Sequence, residues 1–422
     1  MNAFVSTRGT DRVTFAQALF QGLAPDGGLY MPAEPAVLGP DRPPSGVDFA
    51  ETARWAARRM LSGAMDAAEA LDFPIPLVEV EDGTYVLELF HGPSLAFKDV
   101  GARFMARAMA ALAEPGRTRT VLVATSGDTG GAVAAAFHGM DGYRVVVLFP
   151  RGGISERQRR QITTLGGNVQ AVAVEGTFDD CQRLAKMAFA DPELPGTCRL
   201  TSANSINIGR LVPQSFYYIH AAAALGWDER PVTFVVPSGN LGNLCAGLMA
   251  HRAGMPARGF VAAANRNRVF VDYLESGRFE PRRSVPTPSN AMDVGDPSNF
   301  ERIRHLYGYD HQALRAHVHG QSVDDEQTRD RIARVHAATG YVMDPHTAVG
   351  WEAMERLRGT MPAPRVVLAT AHPWKFPDVI ESTLGLQVPL PPGAAPHLSG
   401  EEHVITIPAS LSVLADLLLT ET

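Results

Sequence analysis

The sequence is short of cysteine, of long apolar runs and of surplus basic residues, and each shortage removes a class of protein. Three cysteines among 422 residues, Cys181, Cys198 and Cys245, are too few and too scattered for a disulfide framework or a thiolate zinc site. A reducing, cytoplasmic setting is therefore expected. No apolar stretch approaches the roughly 18 residues of a membrane span. The start, MNAFVSTRGTDRVTF, has no apolar run behind a basic segment, so neither membrane association nor a signal peptide is expected. Lys and Arg number 38 against 45 Asp and Glu, a net charge of −7. A nucleic-acid binder needs clustered cations facing phosphates, so no nucleic-acid partner is expected. Small anions held by local groups are not excluded. What is present is an ordinary globular composition, 45% hydrophobic and 20% charged, long enough for two or three domains.

Residues 1–80 read as a small helical domain. DRVTFAQALFQGL has helical apolar spacing closed by the turn Pro25-Asp26-Gly27-Gly28, and a second helix-like stretch covers residues 49–65. From residue 81 strands and helices alternate: YVLELF, TVLVAT, RVVVLFP, VQAVAVEG, VTFVVP and RVVLAT as strands, with helix-like segments between them. That alternation predicts an α/β architecture of mostly parallel sheets with helices on both faces. Two such sheets are expected within residues 81–390, the smaller formed by about 115–200 and inserted in the larger, with residues 391–422 as a C-terminal tail segment.

Ligands of open parallel sheets bind where strands turn into helices at their carboxyl ends. Three turns have that form: SGDTGG at 126–131, PSGNLGN at 237–243 and ATAHP at 369–373. Gly239, Asn240, Leu241, Gly242 and Asn243 can converge backbone N–H groups on an anion at a helix start. The loop lacks both the GxGxxG spacing and the Lys-Ser/Thr ending of nucleotide loops, which points to a small phosphorylated cofactor; the alternative is a tight turn that needs glycine only for its backbone angles. Lys98, flanked by Ala96, Phe97 and Val100, reads either as a desolvated nucleophile or base, or as a lysine paired with Asp99. A lysine and a separate phosphate cup together are what pyridoxal phosphate requires.

These motifs, with FVSTRG, QGLAPDGGLYMP, HGPSLAFKDVGARFM, FPRGGIS, SANSINIGRL, SNAMDVGDPSN, DPHTAVG and ATAHPWKF, resemble the threonine synthase family over about residues 2–385, in its longer bacterial and fungal branch. The resemblance implies the tryptophan synthase beta-like fold (fold type II) of pyridoxal-phosphate enzymes and the conversion of O-phospho-L-homoserine and water to L-threonine and phosphate. It implies that Lys98 carries pyridoxal phosphate, that residues 239–243 hold its phosphate and that Thr370 bonds its ring nitrogen. Leu241 stands where relatives more often have Phe, a tolerable change if backbone N–H groups do the binding. Asp128 falls beside the cofactor's phenolic oxygen, where relatives of this fold often have Asn. Ser126, Gly127 and Thr129 match the loop for the substrate carboxylate; Asn204, Ser205 and Arg210 match residues for the substrate phosphate. Dehydratases and β-replacement enzymes of the same fold are the nearest alternatives, and a monomer or homodimer is expected.

Other conspicuous residues have plainer readings. His311, His317 and His319 read as surface histidines of one helix, and no metal site is expected. His91, His346 and His372 lie inside or beside the motifs and are candidates for contact with the site. Trp351 and Trp374 read as packing anchors, and RQRRQ at 157–161 as a solvated helix face. Asn290 and Asp293 either line the cleft or build a turn.

Overall fold

β-Branched and apolar runs bounded by glycine, proline and asparagine become strands, and the alanine-rich segments between them become the helices that cover both faces of each sheet. The computed structural model describes residues 3–61, 66, 68–113, 116, 118–227, 230–392 and 398–420. Its strands are β1 (Phe4–Ser6), β2 (Tyr30–Pro32), β3 (Leu77–Glu81), β4 (Thr84–Glu88), β5 (Arg119–Ala124), β6 (Tyr143–Pro150) and β7 (Val169–Glu175), followed by β8 (Thr201–Ser202), β9 (Val232–Pro237), β10 (Ala257–Ala264), β11 (Val318–Ser322), β12 (Arg365–Ala369) and β13 (Val404–Pro408). Among the described residues they form a ribbon and two larger sheets. The six-stranded sheet runs β11-β10-β9-β12-β4-β3 and is parallel except for β3, which pairs antiparallel with β4 at the edge. The five-stranded sheet runs β13-β7-β6-β5-β8 and is parallel throughout.

Central strands β9 and β12 are buried at every position, which is why VTFVVP and RVVLA carry no polar alternation. Helices Lys98–Leu112 and Gln214–Ala224 supply Phe104 and Phe216, whose rings meet edge-on at 5.9 Å between centroids. Helix Glu156–Thr163 starts at a capping box in which Ser155 and Gln158 satisfy each other's backbone N–H groups.

Several details depart from the sequence reading. The N-terminal region holds helices Phe15–Gln21 and Phe49–Met60 and also the antiparallel ribbon β1–β2. The last residues of its second expected helix, 62–65, lie outside the described residues. His311 starts the short helix His311–Arg315, but His319 sits within β11, so the three histidines do not share a helix. Residues expected as a tail contribute β13, paired parallel with β7, and the helix Leu411–Leu419. Arg144 binds the carbonyls of Leu417, Leu418 and Thr420 at that helix's end. The Arg-rich segment is not a solvated face: Gln158 and Gln161 are buried, and Arg159 and Arg160 grip Glu402.

Gly247 sits in the middle of helix Gly242–Arg252, where alanine would ordinarily favour the helix. A Cβ there would lie 2.7 Å from the Tyr218 ring and 2.9 Å from that of Phe260. Gly247→Ala is therefore expected to destabilise the protein by about 1–3 kcal/mol in urea unfolding. A variant more stable than the parent would show that helix propensity outweighs the ring contacts.

Candidate active site

The cleft lies where the carboxyl ends of the two sheets face each other. Lys98 reaches it because the segment before it is tied to the turn after β12: Ala96 bridges Ala371, and the Phe97 N–H donates to the Thr370 carbonyl at 2.8 Å. That places Lys98, the first residue of helix Lys98–Leu112, beside Thr370 on one wall. Lys98 makes no ion pair among the described residues; Asp99 turns away and accepts the Ser94 N–H at 2.8 Å. Burial lowers the Lys98 amine to about 8, helped by the Arg210 and Lys375 charges and opposed by Asp128. Its ammonium carbon stem packs over Phe97, with Nζ 4.3 Å from the ring centroid.

The loop after β9 forms the opposite wall. Leu241 is left-handed (φ 60°) and Gly242 opens helix Gly242–Arg252, so consecutive N–H groups turn toward the cleft. A Cβ on Gly239 would fall 2.8 Å from the Cα of Met292, which leaves room only for glycine. The Asn240 side chain is engaged with the Ser298 N–H at 2.6 Å and the Ser205 hydroxyl at 3.1 Å. Asn243 donates to the Pro237 carbonyl at 2.8 Å and braces the turn. What the loop can offer a phosphate is therefore backbone, not amide side chains, and the Leu for Phe exchange costs it nothing there.

Across the cleft, Ser205 accepts hydrogen bonds from both Asn240 and Asn299, at 3.1 and 3.0 Å. With its lone pairs taken, the hydroxyl is left as a donor. Arg210 is buried; its Nη1 donates to the Ala203 carbonyl, while Nε has no partner in the fold. Burial lowers its guanidinium to about 10 against the pull of Asp99, so it stays charged at neutral pH. Asn204 is not among the cleft-lining residues: its amide is exchanged with the backbone of Ala124.

In the SGDTGG turn, Asp128 and Thr129 line the cleft, whereas Ser126 and Gly127 do not. The Gly127 N–H is spent on the Thr125 hydroxyl at 2.9 Å, and a Cβ there would strike the Gln158 amide at 2.5 Å. Asp128 meets two groups the sequence reading did not single out. Its Oδ1 lies 2.6 Å from Lys375 Nζ and accepts from Gln158 Nε2 at 3.0 Å. Burial alone would raise its carboxyl, but the Lys375 and His346 charges and these hydrogen bonds outweigh that and hold it below the usual range. Lys375 stands inside ATAHPWKF; the signal that could have found it was a lysine amid apolar residues, the same one that marked Lys98.

Of the three histidines, His346 lines the cleft, with Nδ1 2.5 Å from Asp344 and Nε2 accepting the Ala291 N–H at 3.3 Å. His372 packs edge-on against Phe90 instead, and burial lowers its imidazole to about 4. His91 is exposed and paired with Glu88 at 2.7 Å. Asp293 builds a turn through Thr287, Asn265 and Asn267, although its neighbours Ala291 and Met292 reach the cleft. Among the described residues no three His, Cys, Asp or Glu side chains are grouped to hold a metal ion, and no helix is long and apolar enough to cross a membrane.

A desolvated lysine facing a tight loop at a helix N-terminus, in a cleft between two mostly parallel sheets, matches the class of pyridoxal-phosphate-dependent enzymes. Sequence comparison agrees: the profile of the pyridoxal-phosphate dependent enzyme family matches residues 72–371, that of the threonine synthase N terminus residues 3–69 and that of the threonine synthase C-terminal region residues 347–417. Threonine synthase of Haemophilus influenzae is 42% identical over 403 residues, 93% of each chain. The crystal structure of the Escherichia coli threonine synthase superposes with a TM-score of 0.90 at 37% identity, covering 99% of both chains. The pyridoxal-phosphate-bound threonine synthase of Brucella melitensis gives 0.87 at 35% identity, again over 99% of both. The chain belongs to the threonine synthase family, a pyridoxal-phosphate-dependent lyase of fold type II.

Only the neutral amine captures an aldehyde. The rate at which full-length apoprotein captures pyridoxal phosphate is therefore expected to rise with pH through a midpoint near 8 and level off above it. A midpoint near that of a free lysine, followed by cofactor absorbance, would mean that Lys98 is not desolvated.

Proposed function

We propose that the chain converts O-phospho-L-homoserine and water to L-threonine and phosphate, as a carbon–oxygen lyase acting on a phosphate ester. The observation that carries this reading is a cation in the same cleft as the loop after β9: the buried Arg210, whose Nε has no partner, and a Ser205 hydroxyl left as a donor. A guanidinium fork with a hydroxyl suits a phosphate oxyanion. An enzyme with a β leaving group and no substrate phosphate needs neither.

Pyridoxal phosphate, when bound, supplies covalent attachment to the substrate amine and a sink for electrons withdrawn from the substrate carbons. The backbone N–H groups of Gly239–Asn243 would hold its phosphate and Thr370 would offer a hydrogen bond to its ring nitrogen, with Asp128 in the same cleft held by Lys375. Of the residues of the SGDTG turn expected at the substrate carboxylate, Thr129 is the one that lines the cleft and is assigned to it, while Ser126 and Gly127 shape the turn behind it. Lys98, neutral in part near pH 8, takes protons at the α and β carbons, since one flexible amine reaches both. Arg210 and Ser205 bind the phosphate as it leaves the γ carbon and neutralise its charge. Asn204 belongs to this group through the strand end it braces, not through its own amide. The γ carbon, which has lost phosphate, then gains a proton from Lys98 in its protonated form, water adds its hydroxyl at the β carbon, and the α carbon takes back a proton before threonine leaves. Elimination and hydration together balance to threonine and phosphate.

The reading carries a domain division with it: residues 1–80, a catalytic region 81–390 with the smaller sheet at about 115–200, and a segment 391–422 that returns to the smaller sheet. Pairing of β13 with β7 supports that return. A reducing cytoplasmic setting accords with three buried cysteines, none of them in a disulfide among the described residues. The reading includes a monomer or homodimer and, from the net charge of −7, no nucleic-acid partner.

Phosphate release is the decisive assay. Release from O-phospho-L-homoserine with threonine formed, and none from phosphoserine, is expected; deamination of serine or threonine instead would give the site to a dehydratase. Arg210→Gln is expected to lower kcat/KM about 100-fold or more with cofactor affinity little changed. Loss of both together would show that Arg210 serves the cofactor.

A further inference from the structure

Lys375 is fully buried, follows β12 of the six-stranded sheet, and ends in a contact with the other sheet's cleft residue. Its Nζ lies 2.6 Å from Asp128 Oδ1 and donates to the Ser94 carbonyl at 2.9 Å. Asp128, 3% exposed, opens the helix that follows β5 of the five-stranded sheet. Gln158 completes the carboxylate at 3.0 Å, and Gln161 from the same helix shares the Ser94 carbonyl at 3.0 Å. The pair is thus the charged centre of a polar seam between the two sheet domains, one residue deep behind the cleft that Lys98 lines. A buried ammonium kept only for packing would lose nothing by being an apolar side chain of similar volume, whereas this one faces a carboxylate that lines the same cleft as Lys98.

We propose that Lys375 is a positioning residue of the cofactor site: it holds Asp128 in place as a carboxylate across the domain seam and balances the charge that Lys98 experiences. The inference rests on the reading of Lys98 as the cofactor lysine. With the pair intact, Asp128 attracts a proton to Lys98 and Lys375 repels it, so the two charges oppose each other. Remove the cation and an unopposed buried carboxylate raises the proton affinity of Lys98; remove the anion and an unopposed ammonium lowers it. Removal of both restores the balance. The other charged or titratable groups facing this seam are Lys98 and Asp99 from helix Lys98–Leu112, Arg210, His346, and His372 on the turn that bears Lys375. All remain in every variant.

The test is a double-substitution cycle on the full-length chain, with Lys375→Met, Asp128→Asn and the two combined, reading the pH midpoint of pyridoxal-phosphate capture and the cofactor dissociation constant. Lys375→Met is expected to raise the midpoint and Asp128→Asn to lower it, each by about one pH unit, and the double variant to return close to the parent. Cofactor affinity is expected to fall at least about tenfold in Lys375→Met, where the carboxylate is stranded, and to recover most of that loss in the double variant. Shifts of the same sign, an unmoved midpoint in Lys375→Met, or no recovery in the double variant would overturn the proposal. If Lys375→Met alone does not fold, a soluble double variant with the parent midpoint supports it and an insoluble one overturns it. No measurement here involves phosphohomoserine. A parent protein that captures the cofactor but releases no phosphate would sink the proposed reaction and leave this inference standing.

Discussion

The buried guanidinium of Arg302 is the joint on which the cleft is assembled. It is fully buried and makes no salt bridge among the described residues; its Nε donates to the Tyr30 carbonyl at 3.1 Å, and its terminal nitrogens to the carbonyls of Ser205 and Ile206 and to Asn299 Oδ1, at 2.6–2.8 Å. Burial draws it down to about 10, still charged at neutral pH. Neutral oxygens therefore satisfy it by number, and its planar fork dictates where each must lie. Tyr30 belongs to the N-terminal ribbon, Ser205 to the anion wall, and Asn299 to the segment that holds the cofactor loop. Oriented by Arg302, Asn299 donates at 3.0 Å to both the Ser205 hydroxyl and the Asn240 carbonyl. The next residue but one, Glu301, takes Thr7 and both faces of Arg8 from the N-terminal segment. The N-terminal region is thereby coupled to both anion-binding walls, not appended to the enzyme.

From this joint the electrostatics of the cleft follow. The chain carries a net charge of −7, yet the cleft gathers Lys98 and Arg210 with Asp128 as the carboxylate among its lining residues. Asp128 would oppose a substrate bearing a phosphate and a carboxylate were it not neutralised by Lys375 behind it. The local field is then that of two cations, each weakened by burial: Lys98 enough to act as a base near neutrality, Arg210 not enough to lose its charge. The same desolvation yields a base in one case and a fixed anion clamp in the other because the two groups start from different proton affinities.

How much of this was legible in the sequence depended on the range of the interaction. Strands β4 to β7, β9 and β12 were readable because buried parallel strands are written as continuous apolar runs. The cofactor loop was readable because a backbone forced through Gly239 and Gly242 leaves its mark within five residues. Lys98 stood out by its apolar neighbours, and those of Lys375 were no different. Arg302 gave no local sign at all: in NFERIRHL it reads as an exposed helical arginine, and its partners lie about 95 and 270 residues away. The RQRRQ helix misled for the same reason, since Gln158 and Gln161 are buried by Asp128 and Ser94, neither of them near in sequence. The two-residue β8 forms only because β5 offers an edge, and the ribbon β1–β2 because Ser6 and Tyr30 are brought together by the intervening helix and turn.

The division between legible and hidden residues is also a division of labour. Groups that touch cofactor or substrate are set by local backbone geometry, and their motifs survive inspection of a single sequence. Groups that orient them act across elements, through carbonyls and amides that any residue could supply. Ser205 shows the distinction within one side chain. That it carries a hydroxyl is local; that the hydroxyl must donate follows only because Asn240 and Asn299, from two other segments, occupy its lone pairs. Asn204, its immediate neighbour, has an equally suitable side chain for phosphate but is spent on Ala124. Two adjacent polar residues of one motif are thus separated in role by what the fold places opposite each. The Ser205 hydroxyl and Arg210 Nε, by contrast, are donors to which the fold gives no acceptor.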